Sequence, residues 1–253
     1  MKLEPIKTRI CQPPQDDLTD IYQGLVPKLR PGMIVVISSK IIAIEEGRCV
    51  PVSSVESKDD LVIQESDRYL DRKHVPNGWV MHTITDGLLI PSAGIDESNA
   101  DEHYILWPKD SNASAQRIGQ FLRKESGLKE LGVVVTDSHS IPLRRGVVGF
   151  AVGYWGFQPL VDYRDQKDLF GREFHFSMTN LPDGLAASAV LTMGEGSEQT
   201  PIVLISAVTN LNFESQPASS KPHSSYEIPL EEDLYAPFLA NAPWSEGSHG
   251  KTK

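Results

Sequence analysis

The strongest constraint on the fold is the segment VVVTDSHS, Val133 to Ser140. Three β-branched residues are typical of a buried strand, and four polar side chains, Thr136 to His139, follow them directly. A buried strand rarely ends in this many polar groups unless other groups bind them. We therefore expect a functional site at the end of this strand.

Length and composition predict a packed globular core. The chain has 253 residues, a formal net charge of −10 and 40% apolar residues. It lacks the clustered Lys and Arg that bind nucleic acid or an anionic membrane, so neither is expected as a partner. No apolar run approaches the ~20 residues of a membrane span, and the N-terminal sequence lacks a signal-peptide core, so a cytoplasmic location is expected. The two cysteines, Cys11 and Cys49, are expected to be reduced thiols.

Apolar runs and helical patterns alternate along the chain, which predicts a fold that mixes α-helices and β-strands. The patterns predict helices at 17–29, 62–73, 112–127 and 183–196, strands at 33–37, 131–137 and 200–206, and a hairpin turn at Asp86-Gly87. The main folded domain is expected to span 1–213, either as one domain or as two interlocked subdomains. Beyond it, the composition predicts a flexible linker at 214–225, a short docking helix within 228–239 and a disordered tail at 245–253.

Four polar clusters at the ends of apolar segments contain the candidate site residues. They are Ser38-Ser39-Lys40, Asp96-Glu97-Ser98-Asn99, Asp137-Ser138-His139 and Gly194-Glu195-Gly196. Each cluster alone is also explained by turns and caps. Together they permit a metal–phosphate site, because Mg²⁺ prefers oxygen ligands and glycines let phosphates approach the backbone. His139 is either a base or a structural residue, and Arg144 with Arg145 either clamps an anion or is solvated.

The motifs AGIDESN, RRGVVGFAVG, KDLFGRE and LTMGEG resemble those of the coenzyme F420-0:γ-glutamyl ligase family. The resemblance covers about residues 33–208, in order and with similar spacings. It implies an α+β fold with mixed sheets and helices, assembled as an intertwined homodimer. It also implies two divalent ions, Mg²⁺ or Mn²⁺, with GTP or ATP as cosubstrate.

The same resemblance implies roles for individual residues. The implied metal ligands are Asp96, Asp137, Ser138 and Glu195, and the implied catalytic residues are Asp96, Asp137, Arg144 and Arg145. The implied nucleotide-binding residues are Ser39, Lys40, Asn99, Met193, Gly194, Gly196 and Ser197. Two cationic contacts of the family are missing, because Ile44 stands where the family often has lysine and Ile141 where it has arginine.

The implied activity is the joining of L-glutamate to a carboxylate acceptor. The carboxylate attacks the nucleotide γ-phosphate to give an acyl phosphate, and the glutamate amine then displaces phosphate. We favour a (tetrahydro)folate acceptor over F420-0, because the phosphodiester of F420-0 would gain from the arginine that Ile141 replaces. Leu143, Tyr154 and Trp155 either pack the folate rings or belong to the core. A non-catalytic nucleotide-binding homologue and a metal-dependent phosphohydrolase are also compatible with the motifs.

Overall fold

The computed structural model describes residues 1–214 and 226–249. The strands are β1 (Lys2–Ile6), β2 (Met33–Ser38), β3 (Cys49–Pro51), β4 (Arg68–Leu70), β5 (His82–Thr85), β6 (Leu88–Pro91), β7 (His103–Ile105), β8 (Leu131–Ser140), β9 (Val147–Trp155), β10 (Leu160–Asp162), β11 (Met178–Asn180), β12 (Ile202–Ser206) and β13 (Ser245–Glu246). The α-helices are α1 (Thr19–Leu25), α2 (Ser39–Glu45), α3 (Lys58–Gln64), α4 (Ser111–Ser126), α5 (Leu181–Met193) and α6 (Ala236–Leu239). Within the described ranges, no helix combines the length and apolar character needed to cross a bilayer.

The chain divides into two compact units, and each unit is assembled from three separate stretches. Unit 1 comprises Met1–Arg9, Thr19–Ser38 and Asp110–Tyr226. Unit 2 comprises Ile10–Leu18, Ser39–Lys109 and Glu227–Lys253. The mixture of helices and several sheets agrees with the predicted α+β class, whereas the predicted domain boundary at residue 213 stays a prediction.

Unit 1 is built on a five-stranded sheet with the order β1-β12-β2-β8-β9. Strands β2 and β8 are parallel, and the other neighbouring pairs are antiparallel. The apolar runs of β2, β8 and β12 are buried, because helix α5 packs on the sheet and forms one core cluster with them. Helix α4 contacts β8 and β9.

The glycines of β9 allow the helices of unit 1 to approach this strand closely. A Cβ at Gly149 would come within 2.5 Å of the Val190 side chain in α5, and one at Gly153 within 2.6 Å of the Ser111 backbone in α4. The edge of β9 is also covered, since Ala151 N donates to Asp183 and Tyr154 N donates to Asn112 Oδ1. Phe150, Ala151 and Trp155 of β9 are therefore buried within unit 1.

Unit 2 contains a four-stranded sheet with the order β13-β4-β5-β6 and the separate pair β3-β7. Its core cluster includes Leu61 and Val62 of α3. The predicted hairpin is confirmed, because β5 and β6 join at Asp86 and Gly87, which both have positive φ (50° and 74°). Such backbone angles are typical of a two-residue hairpin turn.

Three local predictions were wrong. The helix predicted at 62–73 begins earlier, at Lys58, behind the N-cap Ser57, and ends at Gln64. Residues Arg68–Leu70 form β4 instead, since pairing with β5 overrides their helical spacing. The polar cluster after β2 is not a turn, because Ser39 and Lys40 begin helix α2, and β8 does not end at Asp137 but continues to Ser140.

The C-terminal residues of unit 2 are more ordered than their composition predicts. Helix α6 lies within the range predicted for a short docking helix, and its docking role stays a prediction. Most of the predicted linker lies outside the described residues. The expected disorder of the tail is wrong for Ser245 to His249, because β13 pairs with β4 and Gly247 N donates to Asp67 O at 2.8 Å.

Candidate functional site

The polar residues of β8 are part of a continuing strand. A register shift between Val135 and Thr136 is followed by regular pairing with β9, in which Asp137 lies opposite Phe150. The buried Thr136 hydroxyl donates to Phe150 O at 2.8 Å, so this side chain is structural. The next three polar residues, Asp137 to His139, are only half-buried and are therefore available for chemistry.

Ser138 forms hydrogen bonds both to the Asp137 carboxylate, also in β8, and to Glu195 in the loop that follows α5. Its hydroxyl donates to Glu195 Oε2 at 3.3 Å, and its backbone N–H donates to Asp137 Oδ1 at 2.8 Å. Three of the four predicted metal ligands, Asp137, Ser138 and Glu195, thus lie together in unit 1.

These oxygen atoms suit a hard divalent cation. Mg²⁺ binds oxygen at 2.0–2.1 Å with octahedral geometry, so two adjacent ligand atoms are about 3 Å apart. The 3.3 Å between Ser138 Oγ and Glu195 Oε2 is close to that spacing. In the part of the chain that the structure describes, no three His, Cys, Asp or Glu side chains form a metal cluster by themselves. A metal bound here would therefore need the hydroxyl of Ser138 beside the two carboxylates, and this role stays a prediction.

The MGEG loop leaves α5 through a position that only glycine can occupy without strain. Gly194 has φ 81°, and a Cβ there would come within 2.5 Å of the Glu198 carboxyl carbon. Of the predicted nucleotide-binding residues in this loop, Gly194, Gly196 and Ser197 are exposed, whereas the Met193 side chain is buried in the core. Only the Met193 backbone is therefore left for a ligand, and its carbonyl already accepts from Thr200 Oγ1 at 2.7 Å.

Glu198 is a site residue that the sequence motifs did not indicate. Its carboxylate accepts a hydrogen bond from Gly196 N at 2.9 Å. A negatively charged group bound by a glycine backbone N–H is in the position that a phosphate oxygen would take. The motif ends at Gly196, so only the fold shows that the next acidic side chain turns back onto the loop.

In unit 2, Asp96 is held by hydrogen bonds and by an ion pair. Its Oδ1 accepts from the N–H groups of Glu97 (2.6 Å) and Ser98 (2.8 Å), and its Oδ2 lies 2.6 Å from Lys40 Nζ. Burial would raise the pKa of Asp96, but the Lys40 ammonium and the hydrogen bonds from Ser98 more than offset this and lower it. The carboxylate is therefore ionised and already neutralised by Lys40.

The backbone before Asp96 is strained. Ser92, Ala93 and Gly94 have φ values of 53°, 52° and 71°, which are left-handed conformations that cost free energy in residues other than glycine. Asp96 is then fixed by two hydrogen bonds to Ile105, with Asp96 N donating at 3.0 Å and Asp96 O accepting at 2.8 Å. Such strain at a carboxylate is typical of a functional site.

The remaining predicted residues are more scattered. Ser39 is buried at the start of α2, and Asn99 is exposed with φ 51°. Arg144 and Arg145 are exposed in the turn between β8 and β9, and within residues 1–214 and 226–249 no carboxylate pairs with either guanidinium. His139 packs on the Phe150 ring at 4.4 Å, and burial lowers the pKa of its imidazole despite the nearby charge of Asp183.

A family model described as F420-0:Gamma-glutamyl ligase matches residues 5–207. The chain belongs to this family. As a member of the γ-glutamyl ligases it is an enzyme, which confirms the resemblance seen in its motifs. The matched range contains every predicted site residue of the ligase and ends before the C-terminal residues that include α6 and β13.

Similar proteins support the same assignment. The coenzyme F420:L-glutamate ligase of Methanopyrus kandleri is 29% identical over 221 residues, which cover 81% of this ligase and 86% of that protein. The enzyme of the same name from Methanocaldococcus jannaschii is 33% identical over 190 residues, with 75% and 74% covered. That from Methanosarcina barkeri is 34% identical over 185 residues, with 68% and 72% covered. The individual roles of Asp96, Asp137, Ser138 and Glu195 stay predictions.

Proposed function

We propose that this ligase adds L-glutamate to coenzyme F420-0, using GTP or ATP to activate the acceptor carboxylate. The observation that carries the proposal is the family match over residues 5–207, together with relatives that are each named coenzyme F420:L-glutamate ligase. The proposal replaces the folate acceptor, which the sequence motifs alone favoured.

The structure also weakens the physical argument for folate. Ile141, which stands in place of an arginine, lies in the same exposed turn as Arg144 and Arg145, so this turn still presents two cationic side chains. Trp155, for which both a folate contact and a core position were left open, is buried with the Arg123 guanidinium 4.2 Å from its ring centre. Tyr154 packs on Phe157. Both aromatic side chains therefore have structural roles.

Different residues of the chain would bind the metal, the phosphates and the substrate carboxylate. Asp137, Ser138 and Glu195 would hold a divalent ion in unit 1, and Asp96 would be a metal ligand in unit 2. When bound, Mg²⁺ or Mn²⁺ neutralises charge on the transferring phosphoryl group. The exposed glycines of the MGEG loop let phosphate approach the backbone. The guanidinium groups of Arg144 and Arg145 would hold a substrate carboxylate through charge-assisted hydrogen bonds.

The acceptor is tested by a product assay. Purified protein is incubated with Mn²⁺, L-glutamate and either GTP or ATP, and with either F420-0 or tetrahydrofolate monoglutamate. Mass spectrometry then looks for the gain of one glutamyl unit. We expect extension of F420-0. Extension of folate alone would reverse the choice of acceptor. Nucleotide hydrolysis that does not depend on glutamate would indicate a phosphohydrolase. The absence of any product would indicate a non-catalytic homologue.

The metal ligands are tested by Asp137→Asn in the same assay. Asparagine keeps the shape of the side chain but removes the charge that a hard cation needs, so we expect turnover to be lost and folding to be kept. Asp60→Asn is the matched control, because Asp60 lies on α3 in unit 2, outside the predicted site. Full activity in Asp137→Asn would refute the metal role of this residue.

We also propose that the ligase is a homodimer. Strands β10 and β11 and the residues between them form a hairpin arm, residues 160–180, which is closed by hydrogen bonds such as Asp168 N to Arg172 O at 2.8 Å. The arm exposes 98% of Leu169 and 95% of Phe170. An ordered arm that presents large apolar side chains to solvent is typical of a protein–protein interface, and a second copy of the chain is the partner that the family resemblance implies.

A further inference from the structure

The ammonium group of Lys40 is enclosed by three oxygen atoms in unit 2. These are Asp96 Oδ2 at 2.6 Å, the Ser98 carbonyl oxygen at 2.8 Å and Ser98 Oγ at 3.1 Å. A carboxylate, a carbonyl and a hydroxyl on one short turn are the kinds of ligand that Mg²⁺ and Ca²⁺ bind. We call these three atoms the Asp96–Ser98 oxygen cage. The cage is a cation site, and its present occupant is a side chain of the protein itself.

The occupant of the cage is exchangeable. Lys40 carries its charge on a flexible stem of four carbons, and an ion pair near the surface contributes little free energy, about 0–1 kcal/mol. The side chains of Lys40 and Asp96 keep 25% and 45% of their accessible surface, so an ion from solvent can reach the carboxylate. The carboxylate itself is fixed by the N–H groups of Glu97 and Ser98. A cation can therefore replace the ammonium without unfolding the turn.

We propose that the Lys40 ammonium competes with a divalent ion for the oxygen atoms of the cage. When the ion binds at Asp96, the ammonium leaves the cage and contacts the anionic phosphates of the nucleotide. The inference rests on the proposed role of Asp96 as a metal ligand. In the resting state, the single charges of Lys40 and Asp96 cancel. When a divalent ion enters and the ammonium is released, the same group of atoms carries a net charge of +2. Metal binding thus converts a neutral pair into a cationic site for a polyphosphate.

The test measures Mn²⁺ binding without nucleotide, using the electron paramagnetic resonance signal of free Mn²⁺. The variants are Lys40→Met, Asp96→Asn and the double variant. Lys58→Met is the matched control, because this substitution also removes one positive charge near the turn. Lys58 pairs with Glu97, at 3.5 Å, and not with Asp96. Thermal unfolding in a chelator checks that each variant folds.

We expect Lys40→Met to bind Mn²⁺ about two- to fivefold more tightly than the wild type, since a cationic competitor has been removed. Lys58→Met should change the affinity less than about twofold. Asp96→Asn and the double variant should each lose one Mn²⁺ ion. In the presence of saturating Mn²⁺, Lys40→Met should bind a non-hydrolysable nucleoside triphosphate more weakly.

Contrary outcomes would overturn the inference in distinguishable ways. If Asp96→Asn loses one ion but Lys40→Met binds Mn²⁺ no more tightly, Lys40 is not a competitor and the proposed metal role of Asp96 survives. The same holds if the two lysine variants tighten binding equally, because the effect is then one of net charge. If Asp96→Asn keeps the full number of ions, Asp96 is not a ligand, and that part of the proposed function fails as well.

Discussion

Gly94 lies against the indole of Trp107, so closely that a Cβ at position 94 would come within 2.2 Å of the ring. Gly94 also has φ 71° and precedes Asp96 by two residues. We expect Gly94→Ala to lower the free energy of unfolding by about 2–5 kcal/mol, because it combines overpacking with a left-handed conformation. Chemical denaturation measures this change.

The matched control for that variant is Gly87→Ala. Gly87 has φ 74° in the same unit, but no atom lies within 4 Å of a Cβ there, so it bears only the conformational cost of about 1–2 kcal/mol. If both variants lose the same stability, the contact with Trp107 contributes nothing.

Glu198 is expected to weaken phosphate binding at the MGEG loop. Its carboxylate accepts from Gly196 N, so a phosphate must displace a negative charge that is attached to the chain. We expect Glu198→Gln to bind a nucleoside triphosphate about two- to fivefold more tightly, an effect of about 1 kcal/mol or less. Isothermal titration measures the affinity, with Glu227→Gln as a control in unit 2. Weaker binding by Glu198→Gln would mean that the carboxylate supports the loop.

The hairpin arm should carry the dimer contact. Replacing Leu169 and Phe170 by serine removes two exposed apolar side chains without touching the core, so folding is preserved and self-association is lost. Light scattering at micromolar concentration measures the mass. Replacing Leu234, a similarly exposed residue of unit 2, is the control and should leave the dimer intact. A monomeric wild type would refute the dimer itself.

The tail residues Ser245 to His249 should stabilise unit 2. Gly247 lies so near Ser66 that a Cβ would come within 1.9 Å of the Ser66 carbonyl oxygen, and His249 Nε2 lies 3.1 Å from Asp86 Oδ1. We expect deletion of residues 245–253 to cost about 1–3 kcal/mol, which lowers the melting temperature by several degrees. Deletion of residues 250–253 alone is the control and should have no such effect. Equal melting temperatures for the two deletions would show that β13 contributes nothing.

The stability of the ligase should fall in mild acid through His82. Burial lowers the pKa of its imidazole in the folded state, whereas an unfolded histidine titrates near 6.5. Below about pH 6.5 the unfolded state therefore binds more protons, and stability decreases until the pH passes the lower folded pKa. His82→Gln should remove this part of the pH dependence, as measured by unfolding at several pH values without metal. An unchanged slope would exclude His82 as the cause.

Local chemistry explains which parts of the fold could be predicted. The hairpin at Asp86-Gly87 depends on two residues that adopt positive φ readily, and α4 is followed by Gly127, whose φ of 72° is typical of the residue that caps a helix C-terminus. Helix α2 was missed because Ile41, Ile42, Ala43 and Ile44 are all buried, so no polar face marks the helical period.

Contacts distant in sequence explain what could not be predicted in the site. Lys40 and Ser98 are 58 residues apart, and Ser138 and Glu195 are 57 apart. Each motif indicated a candidate site residue, but no motif shows which distant residue that side chain forms a hydrogen bond with. Whether Trp155 packs a substrate ring or belongs to the core could not be decided for the same reason, since its burial against Arg123 depends on how β9 packs with α4.

The strand order of unit 1 has a consequence for biosynthesis. Strand β12 lies between β1 and β2, although it is translated long after both. Strands β1 and β2 thus leave the ribosome before the strand that pairs with both of them. The backbone N–H and C=O groups that β12 will bind stay unpaired until residues near 206 emerge. We infer that the nascent chain cannot close this sheet during most of its synthesis, and that chaperones which shield strand edges should matter most in this interval.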